Sequence, residues 1–110
     1  MIKKGKVYIN NLLAGYISQI EDEYIFQYDN NYISMPEQEP VSFTLPLRKE
    51  PYKSKTLFSF FDGLIPEGYL LEIANKIYGI DPANRMELLL TICKDVTGNV
   101  SIERINENEL

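Results

Sequence analysis

The sequence predicts an α+β fold: a small antiparallel sheet, made of a meander plus a C-terminal strand, packed with two to three short helices. Short stretches before residue 30 alternate apolar and polar residues with the period of a strand. After Pro66 the apolar spacing becomes helical. Near the C-terminus the alternation returns.

KVYIN (residues 6–10) places Val7 and Ile9 on one face of a first strand. NNLLAG is turn-like and leads into GYISQI (15–20), where Tyr16, Ile17 and Ile20 suggest a second strand. Glu21, Asp22 and Glu23 form a polar turn. YIFQY (24–28) follows as a third strand with Tyr24, Phe26 and Tyr28 on one face and Ile25 on the other. DNNYISMPEQEP reads as loop, because Pro36 and Pro40 are unsuited to an inner strand. VSFTLPL (41–47) is expected to add a short strand ending at Pro46, and RKEPYKSK (48–55) to be an exposed basic connection.

From Pro66 to Tyr78 the apolar positions Tyr69, Leu70, Ile73, Ala74 and Ile77 approximate a helical stripe. Pro66 suits a first turn, where its missing N–H costs nothing, and Gly79 suits the C-terminal exit. A further helix is signalled by Asp81-Pro82, or by Asn84 with Glu87 as a capping box, and its apolar face is Met86, Leu89, Leu90 and Cys93. KDVTGNVSIERI reads as a turn at Gly98 into a last strand with Val100, Ile102 and Ile105 inward. With no internal repeat and no linker, residues 1–110 are expected to form one domain.

Composition narrows the function classes. The chain is 45% hydrophobic and 25% charged, which is ordinary for a globular protein. Its net charge of −5 speaks against direct nucleic-acid binding, which needs clustered Lys and Arg on the phosphates. A basic protein surface is the better-matched partner. No window approaches the roughly 18 consecutive apolar residues of a membrane span. MIKKGKVYIN has no apolar segment behind its charges, so it is not a signal peptide. With Cys93 as the lone cysteine no internal disulfide can form, and the expected location is the cytoplasm.

The chain has no histidine, which removes the commonest general base and the commonest metal ligand. One cysteine cannot build a zinc site, and without an imidazole nothing in the sequence activates its thiol. No cofactor is expected. FFDGLIPEG (60–68) spaces Gly63 and Gly68 as a phosphate loop does, but Tyr69 and Leu70 follow where that motif needs Lys and Ser or Thr. Asp62 and Glu67 flank the stretch as a pair of acids, a pattern more often met in helix caps than in acid–base chemistry. Glu21, Asp22 and Glu23 lack the ligand spacing and central glycine of a calcium loop. ENENEL at the C-terminus reads as a solvated tail. The aromatics carry more weight. Eight Tyr and five Phe exceed what so short a sheet can bury, and exposed Tyr is enriched where proteins meet. Stacking on single-stranded nucleic acid would need a basic groove.

SFTLPL (42–47), FFDGLIPEG (60–68) and DVTGNVSI (95–102), in this order behind a strand meander, resemble the small N-terminal subdomain of HipA-type serine/threonine kinases. These kinases are the toxins of bacterial toxin–antitoxin modules, and the resemblance runs from about Lys6 to Ile102. In the full kinase several hundred residues follow, holding the ATP site and the catalytic and metal-binding aspartates. Nothing here matches them, so no catalytic activity is implied. The resemblance implies the stand-alone form, the HipS-like antitoxin of a three-gene module. That protein binds and blocks a shortened kinase, HipT, which a DNA-binding protein, HipB, accompanies. A kinase fragment and an accessory to operon repression are the alternatives, with Met1 and the tail after Ile105 fitting a natural product. The FFDGLIPEGY turn is expected to present Tyr69 to the kinase near its active site, with Leu64, Ile65, Asp62 and Glu67 around it. In the competing reading Phe60, Phe61 and Leu64 are core and Tyr69 merely packs its helix.

Overall fold

A computed structural model describes residues 2–65, 69–81, 83–92 and 99–105. Strands β1 (Ile2–Ile9), β2 (Leu12–Ile20) and β3 (Glu23–Tyr28) form the expected antiparallel meander. The β1–β2 turn is only Asn10-Asn11, both at positive φ (51° and 68°), as a type I′ hairpin requires and asparagine tolerates. β2 therefore begins at Leu12, inside the stretch expected as connection. Val7 pairs with Gly15 but Tyr8 with Leu13, so Ala14 is the extra residue of a bulge. Its carbonyl accepts the Asp29 N–H at 2.7 Å. Gly15 has a physical reason: a Cβ there would lie 2.4 Å from the Gln27 carbonyl oxygen.

Two further strands complete a five-stranded sheet of order β4-β3-β2-β1-β5. β5 (Val100–Ile105) returns to lie antiparallel beside β1, with Val7 opposite Ile102, and buries Val100, Ile102 and Ile105 as the sequence predicts. β4 is Tyr52–Ser54, paired to β3 through Phe26 and Tyr52. It lies in the segment expected as an exposed basic connection. The strand expected over VSFTLPL is absent, and Ser42 and Leu45 instead bracket a tight turn through a single bridge.

Among the described residues there are four short helices. α1 (Asn30–Ser34) replaces an expected loop and is capped by Asp29, whose carboxylate accepts the Asn31 N–H at 3.1 Å. α2 (Ser59–Asp62) and α3 (Tyr69–Tyr78) flank the bend in FFDGLIPEG. Gly79 ends α3 at φ 66° and donates to the Asn75 carbonyl at 2.8 Å, as a C-terminal glycine should. α4 (Arg85–Ile92) starts at Asn84, whose side chain accepts the Glu87 N–H at 3.3 Å. The reciprocal half of the expected capping box is missing, because the Glu87 carboxylate turns to Lys3 and Arg104.

The core lies on one face of the sheet. Val7, Ile17, Phe26 and Tyr28 point into it, and Tyr32, Phe61, Met86, Leu88, Leu89 and Leu90 cover them. α4 lies so close to β1 that a Cβ on Gly5 would come within 2.6 Å of Leu90 Cδ2. Met86 and Leu88 to Leu90 are all buried, so α4 is apolar around more than one face. Cys93, expected on that face, lies outside the described residues, as does the expected turn at Gly98.

Candidate partner-binding surface

The bend after α2 is wound tightly. Gly63, Leu64 and Ile65 donate in turn to the carbonyls of Ser59, Phe61 and Asp62 at 2.9, 3.0 and 3.2 Å. Phe61 is wholly buried and its ring meets three others, with centroids 5.3 Å from Phe26, 5.2 Å from Phe60 and 6.4 Å from Phe58. Phe60 and Leu64 pack partly buried against this cluster. The inward reading of Phe61 holds in full, that of Phe60 and Leu64 in part.

The residues expected at a partner surface separate. Ile65 is 3% exposed, so it belongs to the core and does not face outward; the consecutive turns that follow Phe61 carry it back inside. Asp62 stands at the surface and accepts from Arg85 Nε at 2.7 Å, tying α2 to the start of α4. It forms a half-exposed ion pair, and the reading of Asp62 with Glu67 as paired acids lies partly outside the described residues. Leu64 is half-buried. Tyr69 opens α3, with its side chain outside what is described, and Glu67 lies outside the described residues.

The apolar side chains that do reach solvent are elsewhere. Phe43 is 99% exposed, Ile77 67% and Tyr78 57%. Ile77, at the end of the apolar stripe expected along α3, faces solvent. Phe43 sits at the tip of the turn that replaces the expected 41–47 strand. In a strand Val41, Phe43 and Leu45 would share a face. Here Val41 and Leu45 are buried and Phe43 alone projects. The missed signal is the Ser-x-Thr spacing: Ser42 Oγ accepts the Thr44 N–H at 3.2 Å, the local bond by which serine closes a turn.

Tyr28 anchors this turn from below. Its hydroxyl accepts the Val41 N–H at 3.0 Å and donates to the Leu45 carbonyl. Burial pushes this phenol up to about 12, so it stays protonated and able to donate. Tyr32 does similar work one step away, donating to the Glu39 carbonyl at 2.7 Å, and burial raises it too. Beneath α4, burial works to raise the Glu87 carboxyl, but the hydrogen bond and charge of Arg104, with Lys3 beside it, outweigh this and hold it below the usual carboxylate range. These groups hold the structure together. No group of His, Cys, Asp and Glu able to hold a metal ion is found among the described residues, and no helix among them is long and apolar enough to cross a membrane.

An open five-stranded antiparallel sheet with four short helices among the described residues defines a small α+β domain. The chain belongs to the HipA N-terminal domain family, whose model matches residues 5–103. A solved structure of the N-terminal domain of HipA toxin shares the fold, with a TM-score of 0.76 and 24% identity over 97% of this chain and 96% of that one. An uncharacterized protein of Haemophilus influenzae is 27% identical over 103 residues, or 94% of this chain and 93% of its own length. "Putative kinase Y4mE" of Sinorhizobium fredii is 31% identical over 77 residues, which make up 70% of this chain but 18% of that protein. The family match falls on the N-terminal HipA domain, and the stretch shared with the S. fredii protein is a small part of that protein.

Proposed function

We propose that this chain is an antitoxin-type protein of a toxin–antitoxin module, HipS-like, which binds a HipA-like (HipT) serine/threonine kinase and inhibits it without catalysing a reaction. One observation carries the reading: the same domain makes up 18% of a far longer protein named as a kinase and nearly the whole of a Haemophilus influenzae protein. A domain that packs against a kinase core within one chain keeps a complementary surface when it is supplied separately. The net charge of −5 suits a partner with a basic nucleotide and substrate cleft. Tyr69, at the start of α3, is the residue proposed to reach toward that cleft, with Leu64 beside it. Ile65 supports the bend from within, and Asp62 ties it at the surface to Arg85. A HipB-like DNA-binding protein joins only through the kinase, and this chain touches neither nucleic acid nor membrane. The complex is cytoplasmic.

The test is co-expression of this chain with a HipA-like kinase, followed by growth measurement and pull-down. Growth is rescued and the two chains co-purify. Rescue without a physical complex would refute direct inhibition. Tyr69→Ala in a folded chain abolishes the rescue, and unchanged inhibition would sink the role given to Tyr69. The S. fredii match also supports a second reading, in which this segment is the front of a longer HipA-like kinase and meets the kinase core in cis. The gene downstream separates the two: a short separate kinase supports the antitoxin reading.

A further inference from the structure

We infer that the turn at residues 42–45 is a docking element, in which Phe43 enters an apolar pocket of the kinase partner while Glu39 pairs with a Lys or Arg at that pocket's rim. The partner's identity rests on the proposed function; the docking geometry rests on the turn itself.

Single exposed apolar residues are common on protein surfaces and by themselves carry no meaning. Phe43 differs in how it is held. The Leu45 N–H donates to the Ser42 carbonyl at 3.0 Å, and the Ser42 and Thr44 hydroxyls lie 3.0 Å apart. The Tyr28 hydroxyl holds both flanks from inside the core. The backbone that carries this 99% exposed ring is already ordered, so a partner that covers it has only the side chain left to fix. Beside it opens a groove of about 480 Å³, walled by Pro40, Val41 and Phe60 together with Phe43. The surface therefore offers both a knob and a hole, the shape complementarity of a hot-spot anchor.

Charge selects the occupant. Glu39 is the ionisable residue lining the groove, and like most described carboxylates it takes part in no ion pair among the described residues, so its charge stays open to a cation. An exposed carboxylate beside an aromatic knob, on a chain of net charge −5, repels phosphate backbones and anionic lipid and favours a basic, apolar protein segment.

The purified chain is titrated into the HipA-like kinase by calorimetry, alongside Phe43→Ala, Phe43→Leu and Glu39→Lys. Phe43→Ala weakens binding by about 30-fold, as expected of a hot spot, with an unchanged thermal melt. Phe43→Leu stays within several-fold of the parent. Glu39→Lys weakens binding and removes part of its salt dependence. Parent-like affinity of Phe43→Ala would overturn the inference. Binding that depends on Phe43 but leaves the kinase active overturns the antitoxin reading and keeps the docking element. Absence of binding by the parent chain overturns both.

Discussion

In the sheet, Phe26 and Tyr28 are 0% and 2% exposed; beyond it, Phe43 on its turn and Ile77 and Tyr78 on α3 stand 99%, 67% and 57% exposed. The centre of the first region is closed, and its exposed apolar residues, Ile2, Leu12 and Ile20, stand at strand ends. Its aromatic rings interlock, its polar atoms are paired, and its two tightest glycines are fixed by the backbone or helix opposite. The second is equally ordered at the Phe43 turn but directs its apolar atoms outward. The same residue types therefore stabilise the fold in one half and remain available for recognition in the other. An ordered backbone and an exposed ring coincide at Phe43, which is what the proposed docking role requires.

The largest effect that should separate the two regions is truncation in the aromatic cluster. Phe61→Ala removes a fully buried ring that meets three others and should cost about 3–5 kcal/mol, read by chemical denaturation. A result below 1 kcal/mol would mean that α2 does not close the core. Next comes an asymmetry between two glycines. Gly15→Ala drives a Cβ to within 2.4 Å of a backbone oxygen that cannot yield without moving β3, whereas the obstacle at Gly5 is the flexible end of Leu90, 2.6 Å away. Gly15→Ala should be the more damaging, by about 1–3 kcal/mol of overpacking strain, and equal losses would break the argument.

Tyr28→Phe leaves the ring and removes the hydroxyl that joins the two flanks of the Phe43 turn. The loss should be about 1–3 kcal/mol, the cost of leaving a buried N–H and carbonyl unsatisfied. It should also speed amide exchange at Val41 while sparing β1 and β2. A smaller effect comes from Glu87. Its carboxyl titrates lower in the folded chain than the unperturbed value of 4.5, so its stabilisation is fully present above that value and fades as pH falls through the folded one. Melting temperature should therefore decline on acidification below about pH 4.5, and Glu87→Gln should decline less steeply over the same interval. Smallest of all is Phe43→Ala, which should change stability by under about 0.5 kcal/mol, as surface substitutions do. A clear destabilisation would place Phe43 in the core after all.

The sequence revealed the sheet better than the parts around it, for a physical reason. Alternation reports a surface with one buried face, so Val7 and Ile9, Tyr24, Phe26 and Tyr28, and Val100 and Ile102 could be placed without coordinates. β4 gives no such signal: it is three residues long, and Lys53 lies at its centre on the sheet's outer edge. Val41, Phe43 and Leu45 imitate a strand, because a two-residue alternation cannot reveal that hydroxyls at Ser42 and Thr44 close a turn between them. α1 hid behind Pro36 and a polar composition, although Asp29 was a cap in plain view. α4 carries buried residues on more than one face, so its stripe was only partly readable. Of the expected partner surface, Asp62 and Leu64 reach or border the exterior. Ile65 is interior because successive turns after α2 rotate it inward, a consequence of backbone winding that no hydrophobicity pattern contains.

The pairing of β1 with β5 has a consequence for the order of events during synthesis. Val7 leaves the ribosome early, but Ile102, its neighbour in the sheet, is among the last described residues to be made. Until then the outer edge of β1 offers unpaired amides and carbonyls to any passing strand. The meander can form meanwhile, since its hairpins are local, but the long-range pairing is slow. Truncation before Val100 should therefore produce a sticky, half-finished sheet and not a smaller stable domain. In any longer protein that begins with this domain, whatever follows Ile105 emerges just as the sheet becomes able to close.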